Sequence, residues 1–553
     1  MKKVLLGLVI AIMASTNLLA NEKILISKTQ APLLKGLGEH KHKISSDING
    51  VQRYFNQGLI MSFAFNHAEA ITSFIGSQRL DPECAMCFWG EALALGPNIN
   101  VNSDGKVIMS PENRIQAYKA INKALKLSKK SPEKEQDYIK ALSVRYDGNP
   151  KTNRVDLDIA YAKAMEELSK KYPDDNDAAS LYAEALMNTM PWDYWADNGN
   201  PRPDTVKVIE SLERVLKNDP NHPLAIHLYI HAVEASSNPS RAEKYADKLA
   251  DLVPGAGHLV HMPAHIYWRV GRYNDASIAN INAAKVDEDY IAQCNSQGLY
   301  PAMYYPHNIH FLWAASTMEG RSELSINSAL KVSNYVKDEQ IRQIPFIEFF
   351  QTLPLLSYIR FAKWEEILSY KKPNEDFKFS LGIYHYARSI AFSSLENFNK
   401  AKNEQKKILA NNQSDEIKVL IKAGQPSDKL LEISNYLALG QIELNKENFS
   451  SAIEFFRNAV KIQDQLPYRE PEFWYYSTRQ TLGHALLLNK NFNEAVKVFN
   501  KDLKQYPKNG WSYYGLYMAY DGLNNKIMSD RAINKFNKIW QFSDIKLNSS
   551  VIY

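Results

Sequence analysis

Apolar and small residues recur along the chain at the spacing of helical hairpins. In the clearest N-terminal unit an aromatic residue, a glycine, an alanine, a second aromatic residue and a proline follow one another at Tyr54, Gly58, Ala70, Phe74 and Pro82. Intervals of four place side chains on one face of a helix, and a proline ends a helix because it cannot continue the hydrogen-bond ladder. The pattern predicts two antiparallel helices that approach closely at the small residues.

The same order of residue types returns near the C-terminus, and weaker units fill the stretch between. The C-terminal copies are found at Tyr436, Gly440, Ala452, Phe456 and Ala459, then at Gly483, Ala495, Phe499 and Pro507, with Trp511 and Gly515 opening another. A hairpin of this kind buries its apolar face only against its neighbours. We therefore expect an all-α solenoid of stacked hairpins.

These residues resemble the tetratricopeptide repeat over nearly the whole mature length. Three further segments, at 96–100, 190–195 and 254–267, are similar to a family of exported bacterial tetratricopeptide proteins. The resemblance implies a right-handed superhelix whose concave groove is lined by the first helix of each hairpin. The resemblance to tetratricopeptide proteins also implies a protein or peptide ligand in that groove, since groove positions of such proteins often bind peptides.

The periodicity and composition predict five segments. They are a signal peptide at 1–20, a lead-in at 21–50, an N-terminal repeat block at 51–410, a polar linker at 411–426 and a C-terminal repeat block at 427–553. Three loops interrupt the first block, at about 96–111, 191–203 and 290–306. Because loops need not obey the packing repeat, functional residues are expected near them.

The N-terminus has the form of a secretory signal. Lys2 and Lys3 precede an apolar run from Val4 to Met13 and then a short segment to Ala20, which predicts cleavage after Ala20 and a secreted or periplasmic protein. No later stretch reaches the ~20 apolar residues of a membrane-spanning helix, so we expect no stable span after cleavage. A net charge of +5 over 553 residues argues against nucleic acid as the partner, because nucleic-acid binding needs a strong basic patch.

Histidines concentrate in the middle of the chain. His258, His261 and His265 share one helical face with Trp268, and His227, His231 and His307 lie in the neighbouring hairpins. In the tetratricopeptide register these residues face the groove. One column there consists of Cys87, Ser180, His227, His261 and His307, and the next of Glu91, Glu184, His231 and His265.

Imidazoles at the same height on neighbouring helices are suited to a metal ion. Neutral imidazole is the commonest transition-metal ligand, and Zn or Cu suits it better than a hard ion such as Mg. The candidate ligands are His227, His231, His258, His261, His265 and His307. The alternative is that these side chains contact a peptide or small molecule, or have structural roles. A zinc-protease signature is absent, and no catalytic residue is assigned.

Two other groups of residues invite a functional reading. Trp192 and Trp195 belong to an aromatic loop that forms either a wall of the ligand site or a cover packed on the solenoid. Cys84 and Cys87 lack the following histidine of a haem-attachment motif, which leaves a disulfide or a pair of thiolate ligands. Cys294 is then free.

Two functional hypotheses follow. The first is an exported repeat scaffold whose histidine-rich groove binds a peptide or partner and a Zn or Cu ion. The alternative is a metal-dependent enzyme or a metal-handling protein that uses the same histidines.

Overall fold

The computed structural model describes residues 26–100, 109–196, 198–294 and 300–552, so the predicted signal peptide lies outside the described residues. Within these ranges the chain forms helices and connecting loops and no β-sheet. The predicted all-α class of helical hairpins is confirmed. No described helix is long and apolar enough to cross a membrane.

The chain divides into two compact units. The first contains residues up to Pro263 together with Lys285–Tyr300, and the second contains Ala264–Ala284 and the chain from Pro301 onward. This division differs from the predicted one at 411–426. That polar span itself contains a helix, Asp415–Lys422, which begins where the Ser414 hydroxyl accepts a hydrogen bond from the Ile417 N–H.

The helices of the first unit follow one another in pairs that form hairpins. They are α1 (Val51–Phe63), α2 (His67–Leu80), α3 (Ala85–Ala94), α4 (Pro111–Leu127), α5 (Glu133–Ser143), α6 (Arg154–Lys171), α7 (Asn176–Thr189), α8 (Pro203–Asn218), α9 (Pro223–Val233), α10 (Glu243–Leu252) and α11 (Gly257–His261).

Two helices continue from one unit into the other, and the rest belong to the second unit. The shared helices are α12 (Pro263–Val270) and α13 (Tyr273–Cys294). The second unit then has α14 (Tyr305–Met318), α15 (Ser322–Tyr335), α16 (Asp338–Gln343), α17 (Leu353–Arg360), α18 (Trp364–Ser369), α19 (Lys378–Ser394), α20 (Phe398–Ile408), α21 (Asp415–Lys422), α22 (Ser427–Asn445), α23 (Phe449–Gln463), α24 (Thr478–Leu488), α25 (Phe492–Gln505), α26 (Gly510–Gly522) and α27 (Lys526–Ile539).

Glycine and aromatic residues make the close helix contacts that the repeat pattern predicts. A Cβ at Gly58 would lie 2.8 Å from the ring of Phe74, and one at Gly440 would lie 2.3 Å from the ring of Phe456. Any larger residue at these positions would push the aromatic side chain out of the hairpin. The interval from glycine to aromatic residue is therefore a packing constraint within each hairpin.

The turns inside the hairpins share a backbone feature that the sequence pattern does not display. A residue with left-handed φ stands two positions before the next helix begins, and these residues are Phe65, Gly271, Gly320, Ala362, Glu396, Glu447, Lys490 and Asn524. Left-handed backbone costs an L-residue roughly 1–2 kcal/mol. The turn geometry thus overrides residue preference, and it places one bulky side chain, Phe65, where glycine is favoured.

The lead-in segment is part of the first unit. The amide of Gln57 on α1 binds the backbone at Pro32 and Leu34, and the Gly255 N–H donates to the Gly36 carbonyl. Further along, Ser45 donates from both its N–H and its hydroxyl to Glu135 on α5. The segment before the first hairpin is therefore held in place by several helices.

Candidate metal centre

Three imidazoles converge in the first unit, and we call His227, His231 and His258 the three-histidine cluster. His227 and His231 lie one turn apart on α9, and His258 is the second residue of α11. All three side chains are buried. One ligand nitrogen from each lies within 4.8 Å of the other two. An ion about 2.0–2.1 Å from each nitrogen fits this spacing after a small inward movement of the rings.

The outward-facing nitrogens of the two α9 rings are bound to oxygen acceptors. His227 Nδ1 lies 2.6 Å from the Phe63 carbonyl oxygen, and His231 Nδ1 lies 3.1 Å from Glu234 Oε1. Since a carbonyl only accepts, Nδ1 of His227 carries the proton, and Nδ1 of His231 has a carboxylate oxygen of Glu234 as its partner. A neutral imidazole with its proton on Nδ1 has its lone pair on Nε2. A partner of this kind on the far nitrogen is typical of metal-ligating histidines.

His258 is positioned through the start of its short helix. Its backbone N–H donates to the Tyr300 hydroxyl (3.1 Å), which in turn donates to Asp287 Oδ1 (2.8 Å). A Cβ at Gly257 would lie 1.9 Å from the same Asp287 oxygen. Glycine is therefore required before His258 for this contact to form.

Two aromatic residues with left-handed φ cover the three-histidine cluster. The Phe65 ring (φ 56°) lies 4.5 Å from the ring of His227 and 5.5 Å from that of His258. Trp192 (φ 65°) makes a T-shaped contact with His231 at 5.1 Å and remains 49% exposed. A bulky residue in this backbone region is uncommon and is found where surrounding structure enforces it, often at functional sites.

The loop that carries Trp192 is fixed to the helix beneath it. The Trp195 indole N–H donates to the Ala232 carbonyl on α9 (2.8 Å), and the Tyr194 carbonyl accepts from the Thr205 hydroxyl (2.7 Å). Of the two readings of this loop, Trp195 matches the packed cover. Trp192 stands between the three-histidine cluster and solvent.

A second histidine group, which we call the Asp177 cluster, consists of Asp177 with His40, His42 and His222. The three imidazoles surround one buried carboxylate: His40 Nε2 and His222 Nε2 lie 3.0 and 3.1 Å from Oδ1, and His42 Nδ1 lies 2.7 Å from Oδ2. His222 Nδ1 accepts from the Ala225 N–H at the start of α9. Its proton is therefore on Nε2 and points at Asp177.

The charges of the Asp177 cluster reinforce one another. Burial raises the pKa of the Asp177 carboxyl, but the hydrogen bonds from His222, His40 and His42 outweigh it and hold that pKa well below its usual value. Burial lowers the pKa of His42, but the hydrogen bond and the charge of Asp177 outweigh it and raise the pKa. The cluster is thus an ionised carboxylate bound by imidazole N–H donors.

The other predicted histidines and Trp268 make further contacts with aromatic and acidic side chains. The His261 ring stacks on that of His258 at 5.8 Å in the first unit. In the second unit His265 Nδ1 lies 3.2 Å from Glu470 Oε2, and its ring is 5.8 Å from that of His307. Trp268 packs against Phe311 there. All of these rings except the partly exposed His307 are buried.

The predicted acidic residues and cysteines serve other contacts. Glu91 accepts from the amides of Gln78 (2.7 Å) and Gln116 (2.8 Å), and burial raises the pKa of Glu184 to about 7 against the opposing charge of Arg145. Cys84 and Cys87 form a disulfide at the start of α3, and Cys294 is a free thiol.

Sequence reasoning missed several residues of both clusters. Phe65 belongs to no sequence motif. The signal that could have found it is its position two residues before α2, where the other hairpins have a residue with left-handed φ. His40 and His42 belong to an irregular segment, and Asp177 is one of many acidic residues on repeat helices. The spacing of these residues in the sequence does not indicate that their side chains come together.

Comparison with known proteins supports the repeat assignment. A model of the tetratricopeptide-repeat family matches residues 433–466, which contain most of the α22–α23 hairpin. No curated protein matches the sequence.

Three solved structures of helical-repeat proteins are similar over most of the chain. The human IFIT1 dimer with PPP-AAAA is 12% identical over 89% of this chain and 91% of that chain, with a TM-score of 0.31. Yeast Tom70 is 11% identical over 88% and 92%, with a TM-score of 0.27. The Cut9–Hcn1 hetero-tetramer of the APC/C is 14% identical over 90% and 88%, with a TM-score of 0.23. Such low scores carry no functional argument.

Proposed function

We propose that this tetratricopeptide-repeat protein is an exported scaffold that binds a protein or peptide partner and holds a transition-metal ion in the three-histidine cluster. The repeat fold supports the first part, since stacked hairpins offer extended binding surfaces. The metal site is the more specific part of the proposal, and it is argued from the positions of the histidine side chains.

The convergence of three buried imidazoles, two of which bond an oxygen through Nδ1, carries the metal proposal. Nδ1 of His227 bonds the Phe63 carbonyl and Nδ1 of His231 bonds Glu234. A cation bound through Nε2 of these two rings would leave both of these hydrogen bonds in place. His258 supplies the third nitrogen from the neighbouring helix.

The donor set favours Zn or Cu. Three neutral imidazoles are borderline ligands that suit these ions, whereas Mg and Ca take oxygen ligands. The Glu234 carboxyl bonds the ligand His231, and a carboxylate there would offset part of the cost of burying a cation. Trp192, half exposed beside His231, would restrict access of solvent to the fourth coordination position.

Metal analysis of the purified mature protein tests the proposal. We expect about one Zn or Cu ion per chain in the wild type, and His231→Ala or His258→Ala should lower the affinity at least 100-fold by removing a ligand. His385→Ala is the matched control, because His385 also bonds a glutamate, Glu404, through Nδ1 (2.6 Å). A wild type that binds neither metal, or variants that bind as the wild type does, would refute the proposal.

Export is tested separately from metal binding. We expect the protein expressed in a two-membrane bacterium to appear in the periplasmic fraction with its N-terminus at Asn21, as measured by intact mass. Retention of Met1–Ala20 in a cytoplasmic protein would contradict this part of the proposal while leaving the metal site open to its own test.

A further inference from the structure

One irregular segment of the second unit is buried among its hairpins. The chain is not helical between Gln463, the last residue of α23, and Thr478, the first residue of α24. We call residues 466–476 the aromatic segment, since it contains Tyr468, Phe473, Trp474, Tyr475 and Tyr476. The last four of these aromatic residues are buried, and so are Glu470 and Pro471. Such burial is unusual, because connecting segments normally run over the surface.

The beginning of the aromatic segment contacts α12, which is distant from it in the sequence. His265 Nδ1 on α12 lies 3.2 Å from Glu470 Oε2. One turn further along α12, the Arg269 guanidinium lies 5.3 Å from the centre of the Tyr468 ring, within the range of a cation–π contact. The helix therefore offers basic side chains to a carboxylate and an aromatic ring of the segment.

The end of the aromatic segment contacts two more helices of the second unit. The Tyr386 hydroxyl on α19 lies 3.3 Å from the Tyr475 hydroxyl, and the Tyr386 ring centre lies 5.8 Å from that of Trp474. On α25, the Tyr506 hydroxyl donates to Glu472. The segment thus joins α12, α19 and α25 through its side chains, as a bound peptide would.

Two charged side chains of the aromatic segment are poorly satisfied in this position. Among the described residues, Arg469 has the Phe473 ring as its neighbour (4.9 Å) and no acidic partner, and burial lowers the pKa of its guanidinium to about 10. Burial raises the pKa of the Glu472 carboxyl to about 7, against the hydrogen bond from Tyr506 and the charge of Arg269. Both charged forms are therefore less stable here than in water, which favours release of the segment.

We infer that the aromatic segment is an internal ligand of the surface formed by α12, α19 and α25, and that a partner binds there by displacing it. The partner contributes a non-helical segment in which aromatic residues follow a carboxylate, as Trp474 and Tyr475 follow Glu470. The inference rests on the proposed function, because it names the chemistry of the protein or peptide partner. An external segment without the buried charges of Arg469 and Glu472 can compete with the tethered one.

Fluorescence anisotropy with a labelled peptide of residues 466–476 tests this inference on the full mature protein. We expect at least tenfold tighter binding once the protein's own segment is replaced by glycine and serine over the same length, because a tethered segment competes at a roughly millimolar effective concentration. Trp474→Ala/Tyr475→Ala, which removes the side chains next to Tyr386, should give a gain in the same direction. The matched control is the peptide with the same two alanines, which should bind the glycine–serine variant at least tenfold more weakly.

Circular dichroism and urea unfolding show whether each variant keeps its fold, and if one unfolds, the other is compared with the wild type. Equal binding of the peptide by the wild type and a folded variant would overturn the inference, and so would no binding by a folded variant. Unfolding of both variants would overturn it too, because the segment would then belong to the core. None of these results affects metal analysis of the three-histidine cluster, so failure here can be distinguished from failure of the proposed function.

Discussion

The two histidine clusters of the first unit use the same residue types with opposite proton placement. In the three-histidine cluster, Nδ1 of His227 and of His231 bonds an oxygen outside the cluster, which leaves Nε2 as the nitrogen through which each ring would ligate a cation. In the Asp177 cluster the imidazole protons point inward at the carboxylate, and His222 is fixed in that tautomer by the Ala225 N–H. The first arrangement suits a cation, and the second already satisfies an anion.

The comparison shows that the hydrogen-bond partner of one imidazole nitrogen determines whether the other nitrogen carries a proton or a lone pair. His40, His222 and Asp177 are spaced closely enough to hold a metal ion. Coordination through His222 Nε2 would nevertheless require a proton on Nδ1, which would then face the Ala225 N–H. Proximity of ligand atoms is thus not sufficient, and the second shell decides between metal binding and hydrogen bonding.

The largest effect is expected from a substitution that breaks the Asp177 cluster. Asp177→Ala leaves three imidazole donors without their carboxylate, and we expect the free energy of unfolding to fall by about 3–5 kcal/mol. Urea unfolding at pH 6 measures the change. Metal affinity should stay that of the wild type, and a loss of metal in this variant would show that the two clusters are not independent.

Phe65→Gly tests the cover of the three-histidine cluster. Loss of a buried phenyl ring costs about 3–5 kcal/mol, and relief of the left-handed backbone returns about 1–2 kcal/mol, so we expect a net destabilisation of about 1–4 kcal/mol. Glu447→Gly, at the equivalent turn position with an exposed side chain, should instead be neutral or slightly stabilising. Equal effects of the two substitutions in urea unfolding would mean that Phe65 has no special packing role.

Glu234→Gln tests the metal proposal in finer detail, because Glu234 affects the metal only through its contact with His231. The glutamine amide has no negative charge and only one acceptor oxygen, so it fixes the His231 proton less firmly, and metal affinity should fall about 10–100-fold. Competition with a chelator measures this affinity. Glu404→Gln, which makes the same change beside His385 in the second unit, should leave it unchanged.

The smallest expected effect is a difference in pH dependence. Since the pKa of His42 is raised above 6.5, its contribution to stability is present below pH 6.5 and lost as the pH rises through the raised value. Since the pKa of Asp177 lies below 3.8, its contribution is lost only in stronger acid. Metal binding should change in the opposite sense, because protons compete for imidazole. Unfolding and metal titrations of wild type and His42→Gln at pH 5.5 and 8 compare the two trends.

The hairpins were predictable from sequence because their contacts are local. Gly58 meets Phe74 sixteen positions later, and Gly440 meets Phe456 at the same interval, so periodicity alone relates each pair. The helix bounds of α4 and α8 also follow from Pro111 and Pro203, each at the first position of its helix. Such signals depend only on helix geometry and on residues within one hairpin.

The candidate site was predictable only in part. The spacing of His227 and His231 indicates a shared helical face, but it cannot show that His258 rather than His261 completes the group. That choice depends on how α11 starts, through Tyr300 and Asp287, which are distant in sequence. The proton positions depend on Phe63, 164 residues away from His227. Contacts between residues so far apart in the chain leave no periodic pattern in the sequence.

The attachment of the lead-in also constrains the order in which the chain can assemble. His40 precedes its acceptor Asp177 by 137 residues, and His222 comes 45 residues later still. Closing such loops costs chain entropy before any contact rewards it. The lead-in histidines can therefore complete this cluster only after Asp177 and His222, which follow them in the chain, have been brought to it.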